Sequence, residues 1–252
     1  MIRVILHGAS GAMGKVIAGL AQDRDDMKIV AGIDRNAVQT GAFPVYEQPR
    51  LCLEEADVIV DFSAAAAVDG LLDWAVERKL PLVLCTTGLS DRQLQAVQKA
   101  SEQIPVLRSA NMSVGVNVLF TLAAQAARIL SERGYDIEIL EKHHNRKLDA
   151  PSGTALAIAD AMNEAVDGRY SYTLDRSARR QKRDPDEIGI QSVRGGTIVG
   201  EHDVMFCGLD EVIEIRHTAY SRAIFGKGAL DAAAFLAGKQ AGMYQMKDVL
   251  GL

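Results

Sequence analysis

The 252-residue sequence is poor in cysteine, which limits the metal and redox sites that it can build. Its 3 cysteines, Cys52, Cys85 and Cys207, lie far apart and form none of the paired Cys-x-x-Cys spacings that seat zinc or an iron–sulfur cluster. The sequence therefore predicts no metal site. Isolated thiols are also typical of a reducing compartment, so we expect a cytoplasmic protein.

Long apolar runs and aromatic residues are scarce as well. No stretch approaches the roughly 18 consecutive apolar residues of a membrane-spanning helix, and the first residues lack the apolar segment of a signal peptide. We therefore expect no membrane association. Only 5% of the residues are aromatic although 48% are hydrophobic, which predicts a core of Ala, Val, Leu and Ile, as in α/β proteins.

The chain also lacks a large excess of charge. A net charge of −5, from 28 basic and 33 acidic residues, gives no overall field that would hold nucleic acid or an anionic membrane. A local basic cluster does lie between residues 175 and 186, but acidic residues flank it and it contains no aromatic residue. We interpret it as a solvated, mobile loop and predict no nucleic-acid partner. Its members are Arg176, Arg179, Arg180, Lys182 and Arg183.

The first half of the chain alternates short apolar runs with segments of helical periodicity. This pattern is typical of a parallel sheet with crossover helices. The predicted strands are residues 3–7, 28–33, 58–62, 82–85 and 106–109. Between the last two strands, Ser90 and Gln93 form the sequence signature of a capping box and mark the start of a helix.

The second half has a different pattern. A long apolar helix is predicted from residue 113 to Gly134, followed by a strand at 136–142 and a helix at 155–166. Three strand-like runs then follow one another without a helix between them, which predicts an antiparallel or mixed sheet in a second domain. These runs are residues 188–194, 197–206 and 211–220. A last helix is predicted over residues 229–242, returning to pack on the first domain.

A glycine-rich turn, Gly8-Ala9-Ser10-Gly11-Ala12-Met13-Gly14, joins the first strand to a helix. Such a turn lets the backbone approach a pyrophosphate, and the helix N-terminus favours its negative charge. Any tight strand-to-helix turn can use glycine, but Asp34 also follows twenty positions later, where a ribose partner is expected. The fold class predicted is therefore α/β, with a Rossmann-type doubly wound parallel sheet and a second α+β domain.

Asp34 and Arg35 favour different dinucleotides. The carboxylate of Asp34 suits both ribose hydroxyls of NAD, whereas Arg35 suits the 2′-phosphate of NADP. The cofactor expected is NADH, NADPH or both. The loops at residues 85–88 and 109–112 end neighbouring strands, and their small polar groups suit the nicotinamide half, although each is by itself an ordinary turn. The candidate cofactor-binding residues are Gly8, Ala9, Ser10, Gly11, Ala12, Met13, Asp34, Arg35, Cys85, Thr86, Thr87, Ser109, Ala110, Asn111 and Met112.

Residues 141–154, with the sequence EKHHNRKLDAPSGT, crowd two imidazoles and several cations into one loop. Cations bind carboxylates through strong charge-assisted hydrogen bonds, and the helix that opens after Pro151 adds backbone N–H groups. The loop therefore predicts an anionic substrate. A polar surface loop is the competing interpretation, and the density of the cluster argues against it.

This loop resembles the E-x-H-H-x-x-K-x-D-x-P-S-G-T signature of dihydrodipicolinate reductases. The resemblance also covers GASGAMG, TTG, SANMSVGVN, RGGTIVGEH and GKQAGMYQMKDVL, and thus nearly the whole chain. It implies reduction of 4-hydroxy-tetrahydrodipicolinate, a cyclic dicarboxylate, by NADH or NADPH with loss of water, in diaminopimelate and lysine biosynthesis. It further implies a homotetramer formed through the second domain.

The resemblance also implies roles for individual residues. His143 is the expected catalytic proton donor or acceptor and Lys147 the expected proton donor, in line with the chemistry of imidazole and ammonium groups. The expected substrate-binding residues are His144, Lys147, Gly153, Thr154 and Thr87. Residues 1–113, completed by 222–252, form the expected dinucleotide-binding domain, and residues 114–221 the expected substrate-binding and oligomerisation domain. His202 and His217 match family positions too, but strand histidines are more often structural, so neither is assigned a catalytic role.

Two departures from the family pattern concern the cofactor. Cys85 stands where the family usually has glycine before Thr-Thr, so a thiol is expected close to the nicotinamide. The segment Ser63-Ala64-Ala65-Ala66-Ala67 stands where the family usually has Thr and a proline, which puts one side-chain contact to the cofactor in doubt.

Two other functions compete with the reductase. An amino-acid dehydrogenase with the same two-domain plan would keep the glycine turn but has no need of the His-His-x-x-Lys loop. A regulator that senses NAD(H) through its oligomer would have no need of intact His143 and Lys147. The loop at residues 141–154 therefore favours the reductase.

Overall fold

A computed structural model describes residues 1–38 and 42–252 of the chain. Its elements in chain order are β1 (Ile2–His7), α1 (Ala12–Gln22), β2 (Met27–Ile33), β3 (Val45–Tyr46), η1 (Pro49–Leu51), β4 (Val58–Asp61), α2 (Ala65–Arg78), β5 (Leu82–Leu84), α3 (Asp91–Ser101), β6 (Pro105–Leu107), α4 (Val114–Leu130), η2 (Ser131–Arg133), β7 (Asp136–His143), α5 (Gly153–Glu164), β8 (Ser171–Thr173), β9 (Glu187–Arg194), β10 (Gly200–Cys207), β11 (Val212–Ala219), α6 (Ala223–Leu236), β12 (Gly242–Tyr244) and α7 (Met246–Leu250). The chain divides into a first unit, Met1–Ser113 with Ala223–Leu252, and a second unit, Val114–Arg222.

The first unit is built on a parallel sheet of seven strands in the order β12-β6-β5-β4-β1-β2-β3. Every strand pair in it is parallel. The central order, with the chain moving outward in both directions from β1, is that of a doubly wound dinucleotide-binding sheet. The predicted fold class of the first half is confirmed.

Alternating residues of the central strands build a core on each face of this sheet. Val4 and Leu6 of β1 belong to the cluster that packs against α1 and α6, whereas Ile5 belongs to the cluster that packs against α2 and α3. Strands buried on both faces must be apolar throughout, which explains the continuous runs in the sequence. The capping box of Ser90 and Gln93 is present at the start of α3, as predicted.

The last helix differs from its prediction. The sequence predicted a helix over residues 229–242, whereas α6 spans Ala223–Leu236 and residues 242–244 form the edge strand β12 beside β6. Gly238, with φ of +84°, lies between the two elements and suits the turn that ends the helix. The alanine-rich pattern predicted the helix, but a strand of three residues has too short a pattern to be distinguished from it.

The second unit contains a mixed sheet of five strands in the order β11-β10-β7-β9-β8. Strand β10 is antiparallel to β7 and β11, while β9 is parallel to β7 and β8. Helices α4 and α5 pack on one face of this sheet, over a core that includes Ile137 and Phe206. The mixed sheet was predicted from the strand-like runs, and that prediction is confirmed.

The helical segment Val114–Arg133 is long and apolar enough, by length and composition alone, to cross a membrane. The sequence predicted no such segment, because polar residues interrupt its apolar runs. Leu119, Ala123 and Ala127 of this segment are buried in the core of the second unit. Packing within the fold therefore explains part of the apolar pattern, while Val118, Leu122 and Ile129 of the same helix are exposed.

Two arginines of the basic cluster at residues 175–186 are less solvated than predicted, whereas Arg179, Arg180 and Lys182 are exposed. Arg176 forms ion pairs of 2.7 Å with Glu138 and Glu187, and Arg183 pairs with Asp136 at 2.9 Å. The side chain of Arg183 is only 18% exposed. Glu138 and Asp136 lie on β7, 38 residues from Arg176 and 47 residues from Arg183, so local pattern could not predict these two pairings.

Replacement of Gly14 by Ala tests the close packing of α1 on the glycine turn. A Cβ at Gly14 would overlap the carbonyl oxygen of Gly8 and lie 2.5 Å from that of Ala9, so α1 or the turn must shift. We expect G14A to lower the free energy of unfolding by about 1–3 kcal/mol, measured by urea denaturation. Gly19 of the same helix has open space at its Cβ position, so G19A should be neutral or stabilising. Equal effects of the two variants would contradict this account.

Candidate active site

The glycine turn between β1 and α1 has no room for side chains where the backbone bends. Gly8 has φ of +81°, in the region that favours glycine, and a Cβ there would lie 2.5 Å from the carbonyl oxygen of Phe62. The N–H of Gly11 donates to the carbonyl of Gly8 at 3.1 Å and closes the turn. This bare backbone beside the N-terminus of α1 fits a pyrophosphate group.

A cleft of about 700 Å³ opens over this turn. Its lining includes the predicted cofactor residues Gly8, Ser10, Gly11, Asp34 and Arg35. The carboxylate of Asp34 accepts hydrogen bonds from the backbone N–H groups of Ser10 and Asn36, at 3.1 and 3.0 Å. The acidic side chain is therefore fixed at the end of β2, beside the turn. We refer to this space as the turn cleft.

A second cleft of about 390 Å³ contains the two loops that follow β5 and β6. We refer to it as the loop cleft. It brings together eight predicted cofactor residues from three parts of the sequence: Met13, Cys85, Thr86, Thr87, Ser109, Ala110, Asn111 and Met112. Ala9 is fully buried and Ala12 is exposed in the first turn of α1, and neither lines these clefts.

Cys85 lines the loop cleft beside Thr86, as the departure from the family pattern suggested. Burial raises the pKa of its thiol well above the usual value, and the charge of Asp61 acts in the same direction. The side chain at this position is therefore a neutral thiol. It adds apolar bulk to the cleft and no charge.

In the second unit, the fully buried carboxylate of Glu141 joins several site elements. It accepts hydrogen bonds from His143 Nδ1 at 2.6 Å, from Arg194 at 2.7 and 2.8 Å, and from the backbone N–H of Ser152 at 3.1 Å. Burial alone raises the pKa of Glu141, but the hydrogen bonds from His143, Arg194 and Ser192 outweigh it and hold the pKa well below its usual value. Glu141 is thus an anion that orients the imidazole of His143.

The orientation of His143 leaves its other ring nitrogen, Nε2, for chemistry. Because Nδ1 faces a carboxylate, the ring proton of the neutral form is held at Nδ1 and Nε2 keeps its lone pair. Gly200 makes room beside this atom, since a Cβ there would lie 3.1 Å from Nε2. The ring of His202 contacts that of His143 edge to face, with centroids 5.2 Å apart.

Lys147 and His144 belong to the turn that follows β7. The N–H of Lys147 donates to the carbonyl of His144 at 3.1 Å, and its ammonium group pairs with Asp149 at 2.8 Å. Burial lowers the pKa of His144, and the positive charges of Arg146 and Arg222 lower it further. Its Nδ1 is buried without a hydrogen-bond partner in the described structure. This local excess of positive charge suits an anionic ligand.

Gly153 and Thr154, which the resemblance implies as substrate-binding residues, occupy the first positions of α5. Ser152 caps the helix, because its hydroxyl accepts a hydrogen bond from the N–H of Ala155 at 3.1 Å. A hydrogen bond from the backbone of Gly153 lowers the pKa of Asp149, after the larger effect of Lys147. Within the second unit, the structure therefore brings His143, His144, Lys147 and the start of α5 together. Thr87 lies in the first unit, in the loop cleft.

Sequence reasoning did not find Glu141, Arg194, His7 or Asp61. Each of these charged or titratable residues lies at or near the end of an apolar strand, where an unpaired charge is costly, and this was the only available signal. Glu141 begins the charged loop at residues 141–154, but its residue type alone indicates no role. Among the described residues, no cluster of His, Cys, Asp or Glu side chains could hold a metal ion.

Comparison with known proteins identifies the family. The model of "Dihydrodipicolinate reductase, N-terminus" matches residues 2–112, and that of "Dihydrodipicolinate reductase, C-terminus" matches residues 115–250. The chain belongs to the dihydrodipicolinate reductase family. The 4-hydroxy-tetrahydrodipicolinate reductase of Caldanaerobacter subterraneus is 52% identical and covers 99% of this chain and 98% of its own, and that of Clostridium tetani is 46% identical over 99% and 97%.

A solved structure shows the same fold. The dihydrodipicolinate reductase of Paenisporosarcina sp. TG-14, described as bound to dipicolinate, superposes with a TM-score of 0.81 over 97% of both chains at 24% identity. The predictions of the family, of an oxidoreductase and of NADH or NADPH as cofactor are confirmed by the family matches. The glycine turn fits this cofactor, because its backbone is left uncovered by side chains. A Cβ at Gly8 would overlap the backbone of Phe62, and a Cβ at Gly14 would overlap the backbone of Gly8 and Ala9.

The pH dependence of stability tests the environment of His202. Burial lowers its pKa to about 4, and the charge of His143 acts in the same direction. Because the folded pKa lies below the unfolded value of 6.5, the stabilisation is complete above pH 6.5 and is lost as the pH falls towards 4. We expect the free energy of unfolding to fall by about 1–3 kcal/mol more over this range in the wild type than in H202Q. Parallel pH profiles in urea denaturation would show that His202 is not held neutral.

Proposed function

We propose that this chain reduces 4-hydroxy-tetrahydrodipicolinate to tetrahydrodipicolinate, with loss of water, in diaminopimelate and lysine biosynthesis. The observation that carries the proposal is the Glu141–His143 pair, 2.6 Å apart, with Lys147 in the turn that follows. An acid–base group is oriented there among cations that suit a dicarboxylate. A dehydrogenase for neutral substrates would have no need of this excess of positive charge.

Bound nicotinamide supplies the hydride, and the residues of the chain supply protons and bind carboxylates. His143 and Lys147 are the proposed proton donors, since reduction of the ring must be balanced by a proton and water must leave. Glu141 orients the imidazole of His143 through Nδ1, so that Nε2 is the atom that takes up and donates the proton, as in other acid–base pairs with an orienting carboxylate. His144, Lys147, Gly153 and Thr154 are the proposed carboxylate-binding groups, with Thr87 as a further contact to the substrate.

The turn cleft is proposed to hold the adenosine and pyrophosphate part of the cofactor, and the loop cleft its nicotinamide. Asp34 supports binding of a ribose, because its carboxylate is already fixed by two backbone N–H groups. Arg35 is exposed in the same cleft and suits a 2′-phosphate. We therefore propose that both NADH and NADPH bind. The first unit is then the dinucleotide-binding domain and the second the substrate-binding domain.

We also propose a cytoplasmic homotetramer formed through the sheet of the second unit. The face of this sheet opposite α4 and α5 carries the exposed side chains of Val193 and Val212, which are 43% and 54% accessible. The family resemblance supports association there, and all 3 cysteines are free, as expected in a reducing compartment. Sedimentation velocity measures the assembly directly, and a monomer would contradict it.

Replacement of His143 or Lys147 tests the proposed chemistry. In a coupled assay, dihydrodipicolinate synthase generates the unstable substrate and oxidation of NADH or NADPH is followed at about 340 nm. We expect H143A and K147A each to lower kcat by about a hundredfold or more, because positioned acid–base groups contribute roughly that factor. The affinity for NADH should stay within about threefold of the wild type.

Lys182 provides a matched control, because it is an exposed lysine of the same unit outside this loop. K182A should retain wild-type kcat. If the wild type binds NADH but oxidises none in the presence of substrate, the enzyme assignment fails and a nucleotide-sensing regulator becomes the better interpretation.

Replacement of Arg35 tests the basis of cofactor choice. Loss of a charge-assisted hydrogen bond to the 2′-phosphate should weaken binding of NADPH by about tenfold or more, while binding of NADH changes little. The measurement is the ratio of the two dissociation constants in wild type and R35A, by fluorescence titration. An equal loss for both cofactors would show that Arg35 does not contact the 2′-phosphate.

A further inference from the structure

The ends of three neighbouring strands in the first unit are joined by a buried polar network around Asp61. His7, Asp61 and Thr86 lie at or just beyond the carboxyl ends of β1, β4 and β5, and none is more than 6% exposed. The carboxylate of Asp61 is fully buried. It lies next to His7 Nδ1 at 2.7 Å and accepts the hydroxyl hydrogen of Thr86 at 2.6 Å.

Two further hydrogen bonds complete the network. The backbone N–H of Ser63 donates to the same carboxylate at 3.2 Å, and the backbone N–H of Cys85 donates to the carbonyl of Asp61 at 2.9 Å. The hydroxyls of Ser63 and Thr86 are 3.5 Å apart. A buried carboxylate is costly unless such donors surround it. Formation of the sheet alone does not require a charged residue at the end of β4.

This network lies between the two clefts. His7 lines the turn cleft, Thr86 lines the loop cleft, and Ser63 lines both. Asp61 itself lines neither cleft, so a ligand in either cleft would contact its hydrogen-bond partners and not Asp61. One buried anion therefore holds a polar side chain at each part of the proposed cofactor site.

The hydrogen-bond directions follow from the chemistry of the carboxylate. An ionised carboxylate only accepts, so Thr86 must donate to it and the lone pairs of the Thr86 hydroxyl remain for another donor. The same constraint holds the proton of the neutral His7 ring at Nδ1 and leaves Nε2 as the ring nitrogen for a ligand. Without Asp61, the hydroxyl would be free to rotate and present either a proton or a lone pair.

We propose that Asp61 is a positioning residue of the cofactor site, fixing Thr86 as an acceptor for the nicotinamide carboxamide and His7 as a contact to the phosphate and ribose part. The inference rests on the cofactor placement proposed above. The amino group of the carboxamide is a donor and matches an oriented hydroxyl acceptor. The Nε2 atom of His7 matches the hydroxyl of a ribose.

Comparison of two ligands separates these contacts. NADH contains the nicotinamide, whereas ADP-ribose lacks it and retains the remainder of the dinucleotide. We expect T86V to weaken NADH binding by about three- to tenfold, the usual effect of losing one hydrogen bond, and to leave ADP-ribose within about twofold. T86S keeps the hydroxyl and should restore NADH affinity. H7N keeps a donor for Asp61 but lacks Nε2, so it should weaken both ligands.

The action of Asp61 through Thr86 is tested by a double-mutant cycle. D61N should weaken NADH at least as much as T86V, and adding T86V to D61N should cause little further loss, because the two residues act as a unit. The measurement is the dissociation constant by isothermal titration calorimetry, with circular dichroism to establish that each variant is folded. S101A is the matched control, since it removes a buried hydroxyl of the first unit that donates to Gln98, and neither residue lines the two clefts.

Several outcomes would overturn the inference. Equal weakening of NADH and ADP-ribose by T86V would place the hydroxyl away from the nicotinamide. Additive losses in the double variant would show that Asp61 does not act through Thr86, and so would a D61N protein with wild-type affinity. A wild-type protein that binds ADP-ribose but not NADH would instead contradict the proposed nicotinamide site itself.

Discussion

A buried carboxylate must be matched by hydrogen-bond donors, and this constraint organises the second unit around Glu141. Removing one partner of such a group would leave a charge without compensation, at a cost of about 3–5 kcal/mol. Glu141 therefore fixes whatever donates to it: the ring of His143, the guanidinium of Arg194 and the start of α5 through Ser152. These groups come from three separate stretches of chain. Their common acceptor gives the site one geometry.

The same constraint operates in the first unit at Asp61. In both units the carboxylate sits at or near the carboxyl end of a strand, is fully buried, and holds a histidine through Nδ1. The consequence for chemistry is also shared, because the tautomer of each neutral ring is set and Nε2 is left for a ligand. The buried carboxylate beside Nδ1, at or near the end of a strand, thus distinguishes these histidines from ordinary polar core residues.

Close packing supplies the second constraint on the cofactor site. Gly8 and Gly14 bring the backbone of β1, α1 and the end of β4 closer than any side chain would allow. The first N–H groups of α1 are then directed at the turn, where a helix N-terminus favours an anion. Asp34, held by the N–H of Ser10, fixes the end of β2 to this turn.

Much of this protein was determined by local sequence. The apolar runs gave the parallel strands, the spacing of glycines gave the turn, and the capping box of Ser90 and Gln93 gave the start of α3, because each depends only on neighbours along the chain. The density of charge at residues 141–154 indicated an anion site, and the family followed from the same motif. Short edge strands such as β12 were missed because three residues carry too little pattern.

Only the tertiary structure decided which donors meet each carboxylate. Arg194 is 53 residues from Glu141, and Asp61 is 54 residues from His7 and 25 from Thr86. The basic cluster was likewise predicted to be solvated, yet Arg176 and Arg183 pair with Glu138 and Asp136 of β7, 38 and 47 residues away. Sequence fixes residue types and local periodicity, but pairing over such separations depends on strand order and register, which arise when the whole core is packed.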